Sequence, residues 1–286
     1  MAIRILLFMM TLLPFHATLQ AGWWDNITSY FKGGNETTPP TIRVLVIHDV
    51  ESLNLEVRGK YSLFDPYTHS YISSRFIGKN RTLEAMSDGL KWGEAFPGLY
   101  QIRIRPDEAN TTTVINRREY EGDIYIYDVG GTISIVNQIP LENYVHSLLT
   151  SYQEQPLELE TLAALAITMR TNAYFQAINP KNTYWAVDAQ KVNFKGRPLS
   201  TSMVEDAIHL TRHMIMSHTG IYEGMATPFA AQFDSQGIPS RDTEIAKISI
   251  EEANQMARAG GHASQILSKA FPCSTIMMLQ YADKHE

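Results

Sequence analysis

Four glutamates, Glu142, Glu154, Glu158 and Glu160, lie close together in this 286-residue chain, with Arg170 and Thr171 a few turns further on. Carboxylates gathered beside a cleft can carry out the proton transfers of glycosidic-bond cleavage, in which one protonated group assists the departing oxygen. Glutamates also serve as solvated helix ends, and spacing alone leaves both readings open. Other chemistries have weaker support. No G-x-G-x-x-G follows a strand, and there is no Walker lysine loop, G-x-S-x-G elbow or H-E-x-x-H pair; the nine histidines are scattered. No metal and no cofactor is expected.

These glutamates must be held by helices, and the pattern predicts them. Pro140 opens a segment in which Leu141, Tyr144, Val145, Leu148 and Leu149 recur at helical spacing. A second helix is predicted from Leu159 to Ala177, rich in alanines that allow a neighbour to approach closely. A third begins near Ser202, where Ser202 and Glu205 have capping-box spacing; Ser249 and Glu252 repeat the signal before a helix stopped by Gly260-Gly261. A last short helix is expected from Ser264 to Lys269, and short strands at Met214 to Ser217 and Phe229 to Phe233. Upstream, from Arg43 to Gln138, the pattern reads β. Leu99 to Arg105 alternates cleanly, and Ile124 to Tyr127 and Thr132 to Val136 flank Asp128-Val129-Gly130-Gly131 as a hairpin. The expected class is α+β, with a β-rich N-terminal part (42–138) followed by helices packed on mixed β structure (139–280).

The chain ends and composition bound the setting. Arg4, the apolar run Ile5 to Leu13, and small residues ending at Ala21-Gly22 have the layout of a secretory signal peptide. That run is too short for a bilayer, which needs about 20 residues. The expectation is a signal over 1–21, a linker over 22–41 and export to the periplasm or cell envelope, with no transmembrane segment after cleavage. A net charge of −6 offers no basic stripe for nucleic acid. Cys273 is the only cysteine, so no internal disulfide can form, and it is expected to be a buried apolar residue.

The run Ile133-Ser134-Ile135-Val136-Asn137-Gln138-Ile139-Pro140-Leu141-Glu142-Asn143-Tyr144-Val145 resembles the opening motif of the SpoIID/LytB family, N-x-l-P-L-E-x-Y-v. Leu159 to Tyr174 is similar to that family's p-E-A-L-K-A-Q-A-V-A-A-R-T-Y-A. Gln190 to Gly196, Glu205 to Gly220 and Ala253-Asn254-Gln255-Met256-Ala257 resemble later blocks in the same order. The resemblance implies a peptidoglycan protein of the lytic transglycosylase kind. Such enzymes cut between N-acetylmuramic acid and N-acetylglucosamine with a single glutamic acid and leave a 1,6-anhydro end.

The residues carried over are specific. The family's acid stands in S-E-M-P, 18 positions before the arginine; counting back from Arg170 reaches Tyr152, preceded by Ser151. Glu154-Gln155-Pro156 restores E-M-P if two residues are shifted, which makes Glu154 the catalytic candidate. Substrate-binding candidates are Tyr152, Arg170, Gln190, Ser235 and Glu142. Arg170 would orient a substrate hydroxyl or the acid, or else pair with Glu142 or Glu160; Gln190 would bind sugar or brace a turn. The zinc ligands of some members have no counterpart around Phe233 to Ile238. The implied partner is the glycan strand. The alternative is a family member that has lost its acid and binds glycan or modulates a cell-wall amidase.

Overall fold

The computed structural model describes residues 39–76, 78–152, 155–180, 182–198, 201–220, 229–230 and 244–279. Twelve strands come first: β1 (Thr41–Val50), β2 (Ser52–Arg58), β3 (Tyr61–Phe64), β4 (Tyr71–Arg75), β5 (Arg81–Met86), β6 (Gly89–Trp92), β7 (Glu94–Pro97), β8 (Gln101–Pro106), β9 (Thr112–Ile115), β10 (Arg118–Tyr120), β11 (Asp123–Val129) and β12 (Thr132–Pro140). Helices α1 (Leu141–Leu149) and α2 (Leu159–Ile178) follow, joined after a 3-10 turn over Thr150–Tyr152. Then come β13 (Val187–Asp188), α3 (Ala189–Val192), α4 (Ser202–Leu210), β14 (Met214–His218), β15 (Phe229–Ala230), β16 (Glu244–Ile245), α5 (Ile250–Arg258), α6 (Ala263–Ala270) and β17 (Ser274–Met278). The fold is α+β, with a β-rich N-terminal part and helices after it.

Two sheets form the β-rich part. One has seven strands in the order β13-β1-β12-β11-β8-β3-β4; the other has six, β10-β9-β2-β5-β6-β7. The β11–β12 hairpin closes on Val129 opposite Thr132. Its two turn residues, Gly130 and Gly131, both have positive φ (66° and 90°), the mirror-image turn whose twist suits a hairpin. Along β11 the period of two is complete: Ile124 and Ile126 are fully buried toward the core. Tyr125 and Tyr127 lie on the opposite face with Leu45 and Val136. One hydrophobic core joins Leu55, Leu83 and Trp92 of the six-stranded sheet, Ile104 and Ile135 of the seven-stranded sheet, and Tyr144 and Leu165 of the helices.

Helix α2 organises the rest. Leu162, Leu165, Ala166 and Tyr174 face that core. Ala163, Ala164 and Ile167 face a second one, built with Met216, Ala253, Ile266, Leu267 and Phe271. A helix apolar on all sides must be covered on all sides, and here the β part lies on one flank and α5 and α6 on the other. Thr168 and Thr171 are buried too, and their hydroxyls are satisfied by the carbonyls of Ala164 (2.9 Å) and Ile167 (2.8 Å). No helix among the described residues is long and apolar enough to cross a membrane.

Several boundaries differ from the sequence expectation. Helix α4 is capped at Thr201, not Ser202, and no side-chain hydrogen bond closes that end. The Ser249/Glu252 capping box, by contrast, is formed in both directions. Cys273 is exposed, because it sits in the turn between α6 and β17 where its carbonyl, not its thiol, makes the contact to Thr219 N–H (2.9 Å). Strand β1 starts at Thr41, the last residue assigned to the linker. The predicted signal over 1–21 lies outside the described residues.

Candidate functional site

The three described glutamates of the group do not converge on one point: Glu142 pairs partway along α2, and Glu158 and Glu160 are engaged at its start. Glu142, in the first turn of α1, reaches Arg170 on α2: Nε to Oε1 and Nη2 to Oε2 are both 2.8 Å. Arg170 is fully buried. Its Nη1 donates to the Met214 carbonyl (3.1 Å) and lies 3.5 Å from Thr211 Oγ1. The His213 N–H points at Glu142 Oε1 at 3.4 Å. A fork-shaped guanidinium matched to a carboxylate in this way ties α1, α2 and the start of β14 together. Arg170 is thereby committed inside the protein, while Glu142 keeps 18% of its side chain exposed.

Glu158 and Glu160 are also engaged. Glu158 precedes the first turn of α2 and lies 3.4 Å from Arg258 Nε on α5. Glu160 Oε2 accepts the Ala263 N–H at 2.7 Å, placing its charge at the N-terminus of α6, where the exposed amides favour an anion. Its other oxygen faces His262 Nδ1 at 3.4 Å.

The chain on each side of residues 153 and 154 is fixed. Tyr152 ends the 3-10 turn, half-buried and packed on the main core. Its carbonyl accepts the Gln155 N–H at 3.0 Å. Downstream, Asn254 of α5 holds the loop. It is 1% exposed. Its Oδ1 accepts the Glu158 N–H (2.7 Å) and the Thr161 hydroxyl (3.1 Å), and its Nδ2 donates to the Pro156 carbonyl (3.0 Å). The sequence resemblance runs through Asn254 without giving it a role. The available signal was an asparagine, a poor helix former, inside a predicted helix. Replacing Asn254 with leucine is expected to cost on the order of 3 kcal/mol, because the Glu158 N–H and the Pro156 and Thr161 groups lose their buried partner. Thermal unfolding checks this; an unchanged Tm would show that the clamp does not hold the loop.

The remaining candidates are dispersed. Gln190 is exposed on α3, and its N–H bonds to Asp188 Oδ1 (2.9 Å) as part of that helix's cap. The block it belongs to packs through Phe194, whose ring lies 5.5 Å from Tyr144 and 6.3 Å from Tyr120. Tyr144 and Tyr174 are core residues. Glu154 and Ser235 lie outside the described residues.

A cleft of about 490 Å³ lies beside α1, lined by Glu119, Glu121, Asn143, His146, Arg197 and Glu205. Burial lowers the His146 pKa, with Glu205 and Glu121 pulling the other way. The unfolded chain therefore takes up a proton before the folded one does. Stability is expected to fall as pH drops below 6.5, the ordinary histidine value. His146→Gln should lose less Tm than the parent between about pH 7.5 and 5.5; parallel melting curves at the two values test this.

Residues 129–218, from the β11–β12 turn to the end of β14, match the family model described as Stage II sporulation protein, SpoIID. The chain is similar to an uncharacterised protein of Chlamydia muridarum, 25% identical over 84% of this chain and 78% of the relative. It is also 25% identical to an uncharacterised protein of Chlamydia pneumoniae, over 86% of this chain and 84% of the relative. An uncharacterised protein of Brachyspira hyodysenteriae is 26% identical over 66% of this chain, which spans 51% of that relative.

Proposed function

Given the SpoIID domain over residues 129–218, which points to a cell-wall or sporulation-related role, we propose that this protein is exported and acts on peptidoglycan as a lytic transglycosylase with Glu154 as its acid and base. One observation carries the assignment. Of the four clustered glutamates, Glu142, Glu158 and Glu160 are bound to Arg170, Arg258 and the α6 N-terminus. Those three have structural partners, and Glu154 is the candidate because Glu154-Gln155-Pro156 resembles the family's E-M-P.

The reaction balances without a water nucleophile. Glu154, protonated, gives its proton to the oxygen between N-acetylmuramic acid and N-acetylglucosamine as the bond to the muramic C1 breaks. The resulting carboxylate takes the proton of the same sugar's 6-hydroxyl, whose oxygen attacks C1 and closes the 1,6-anhydro ring. An acid in this role works best with its pKa raised toward the working pH by an apolar surrounding.

The second reading is a glycan-binding or amidase-modulating protein without cleavage. It rests on Tyr152, which takes the acid's position in gap-free register with Arg170 and packs on the core. A phenol with pKa near ~10 is a poor acid at neutral pH. Incubating the full chain with purified glycan strands and examining the ends by mass spectrometry separates the two. Anhydro-muramic ends are expected. Co-sedimentation with glycan and no such ends would overturn the enzyme reading in favour of the binding one.

A further inference from the structure

Where Tyr61 and Arg75 of the seven-stranded sheet face Arg81, Trp92 and Phe96 of the six-stranded sheet, a cavity of about 200 Å³ combines an aromatic floor with three cations. Tyr61, Trp92 and Phe96 form the floor and are 2%, 7% and 7% exposed. The Trp92 indole is fixed by its Nε1 bond to the Leu55 carbonyl (3.0 Å), with the Tyr61 ring centroid 6.0 Å away. Arg75, Lys79 and Arg81 line the rim.

Two of these cations are uncommitted and the third is only partly used. Among the described residues, neither Lys79 nor Arg81 has an ion-pair partner. Arg75 pairs with Glu94 through Nη2, yet its Nε is buried with no hydrogen-bond partner. The seat of Arg81 is shaped for it. Its stem lies across Gly93, where a Cβ would come within 2.2 Å of Arg81 Cδ and force the arginine stem to shift. At Gly78 the fit is tight: a Cβ there would stand 3.1 Å from Val57 N and 3.2 Å from the Tyr61 hydroxyl.

We propose that this cavity is a binding site for the terminal carboxylate of a short peptide. The cations would meet the carboxylate, with guanidinium forks well matched to its two oxygens. The apolar floor would take the small side chain beside it. The volume is below the ~300–1,000 Å³ of sites that hold a whole ligand, so the site receives a chain end. On the proposed peptidoglycan function, that end belongs to a stem peptide. The protein would then grip a peptide-bearing strand at one place and act on the glycan at another.

The test is calorimetric titration of the full chain with acetyl-D-alanyl-D-alanine, its C-terminal amide and inorganic phosphate. The acid should bind saturably and the amide about tenfold more weakly or worse. Arg81→Gln should weaken the acid about tenfold without lowering Tm. Glu94→Gln, which frees Arg75 from its competitor, should tighten binding, a gain that misfolding cannot mimic. No saturable binding, equal binding of acid and amide, phosphate binding as tight as the acid, or an unaffected Arg81→Gln would each overturn the proposal. Glycan co-sedimentation run in parallel keeps the two ideas apart. Retained glycan binding with no peptide binding removes this site alone; the reverse removes the glycan reading and keeps the carboxylate site.

Discussion

Glu154→Gln is expected to lower the yield of anhydro-muramic ends by about 10²- to 10⁴-fold, the usual contribution of a positioned general acid. Glutamine keeps the size of the side chain and can still form hydrogen bonds, but its amide is too weak an acid to protonate the leaving oxygen and too weak a base to take a proton back. Tyr152→Phe should leave the yield nearly unchanged, because its ring packs against the core and its phenol is the wrong strength of acid. The pair of variants decides between the two registers of the S-E-M-P motif. Loss of product in Tyr152→Phe with full yield in Glu154→Gln would reverse the assignment. Glycan co-sedimentation of Glu154→Gln should match the parent, since glutamine keeps the size and polarity of the side chain.

Arg170→Met is expected to cost about 3–5 kcal/mol, the usual cost of breaking a buried ion pair by removing one partner. The methionine fills most of the space but leaves the Glu142 carboxylate without its counter-charge and the Met214 carbonyl without its donor. Domains are stable by only about 5–15 kcal/mol, so a drop in Tm of roughly 6–20 °C should follow, at ~2–4 °C per kcal/mol for a domain of this size. The double variant Glu142→Leu/Arg170→Met should recover much of the loss, because no uncompensated charge remains and an apolar pair can replace a buried ion pair at little cost. If Arg170 acted mainly on substrate, the single variant would melt with the parent and fail only in activity. Differential scanning calorimetry of the three proteins distinguishes the cases.

What the sequence determined by itself was local. The Gly130-Gly131 hairpin, the alanine-rich helix from Leu159 and the Ser249/Glu252 capping box each depend on residues within a few positions of one another, and each is present. The hairpin between β9 and β10 uses the same kind of turn, yet Asn116 and Arg117 supply its positive φ values (47° and 70°). With arginine where glycine would announce the turn, the chain gave no signal. Strands β6 and β7 are four residues each, too short for alternation to stand out from noise, and they exist because the neighbouring strands pair with them.

The site shows the same division. Spacing picked out Glu142, Glu160 and Arg170 as possible partners and left the pairing open. Glu160 and Arg170 share α2 ten residues apart, about 15 Å along the axis at 1.5 Å per residue, so they cannot meet. Glu142 can, because α1 folds back beside α2. Similarly, Asn254 is almost a hundred residues from the backbone it clamps, and no local pattern reports a contact at that separation. The sequence therefore named the groups able to move protons. Packing around α2 decided which of them are held by structural partners, and that choice is made by long-range contacts, which local spacing does not encode.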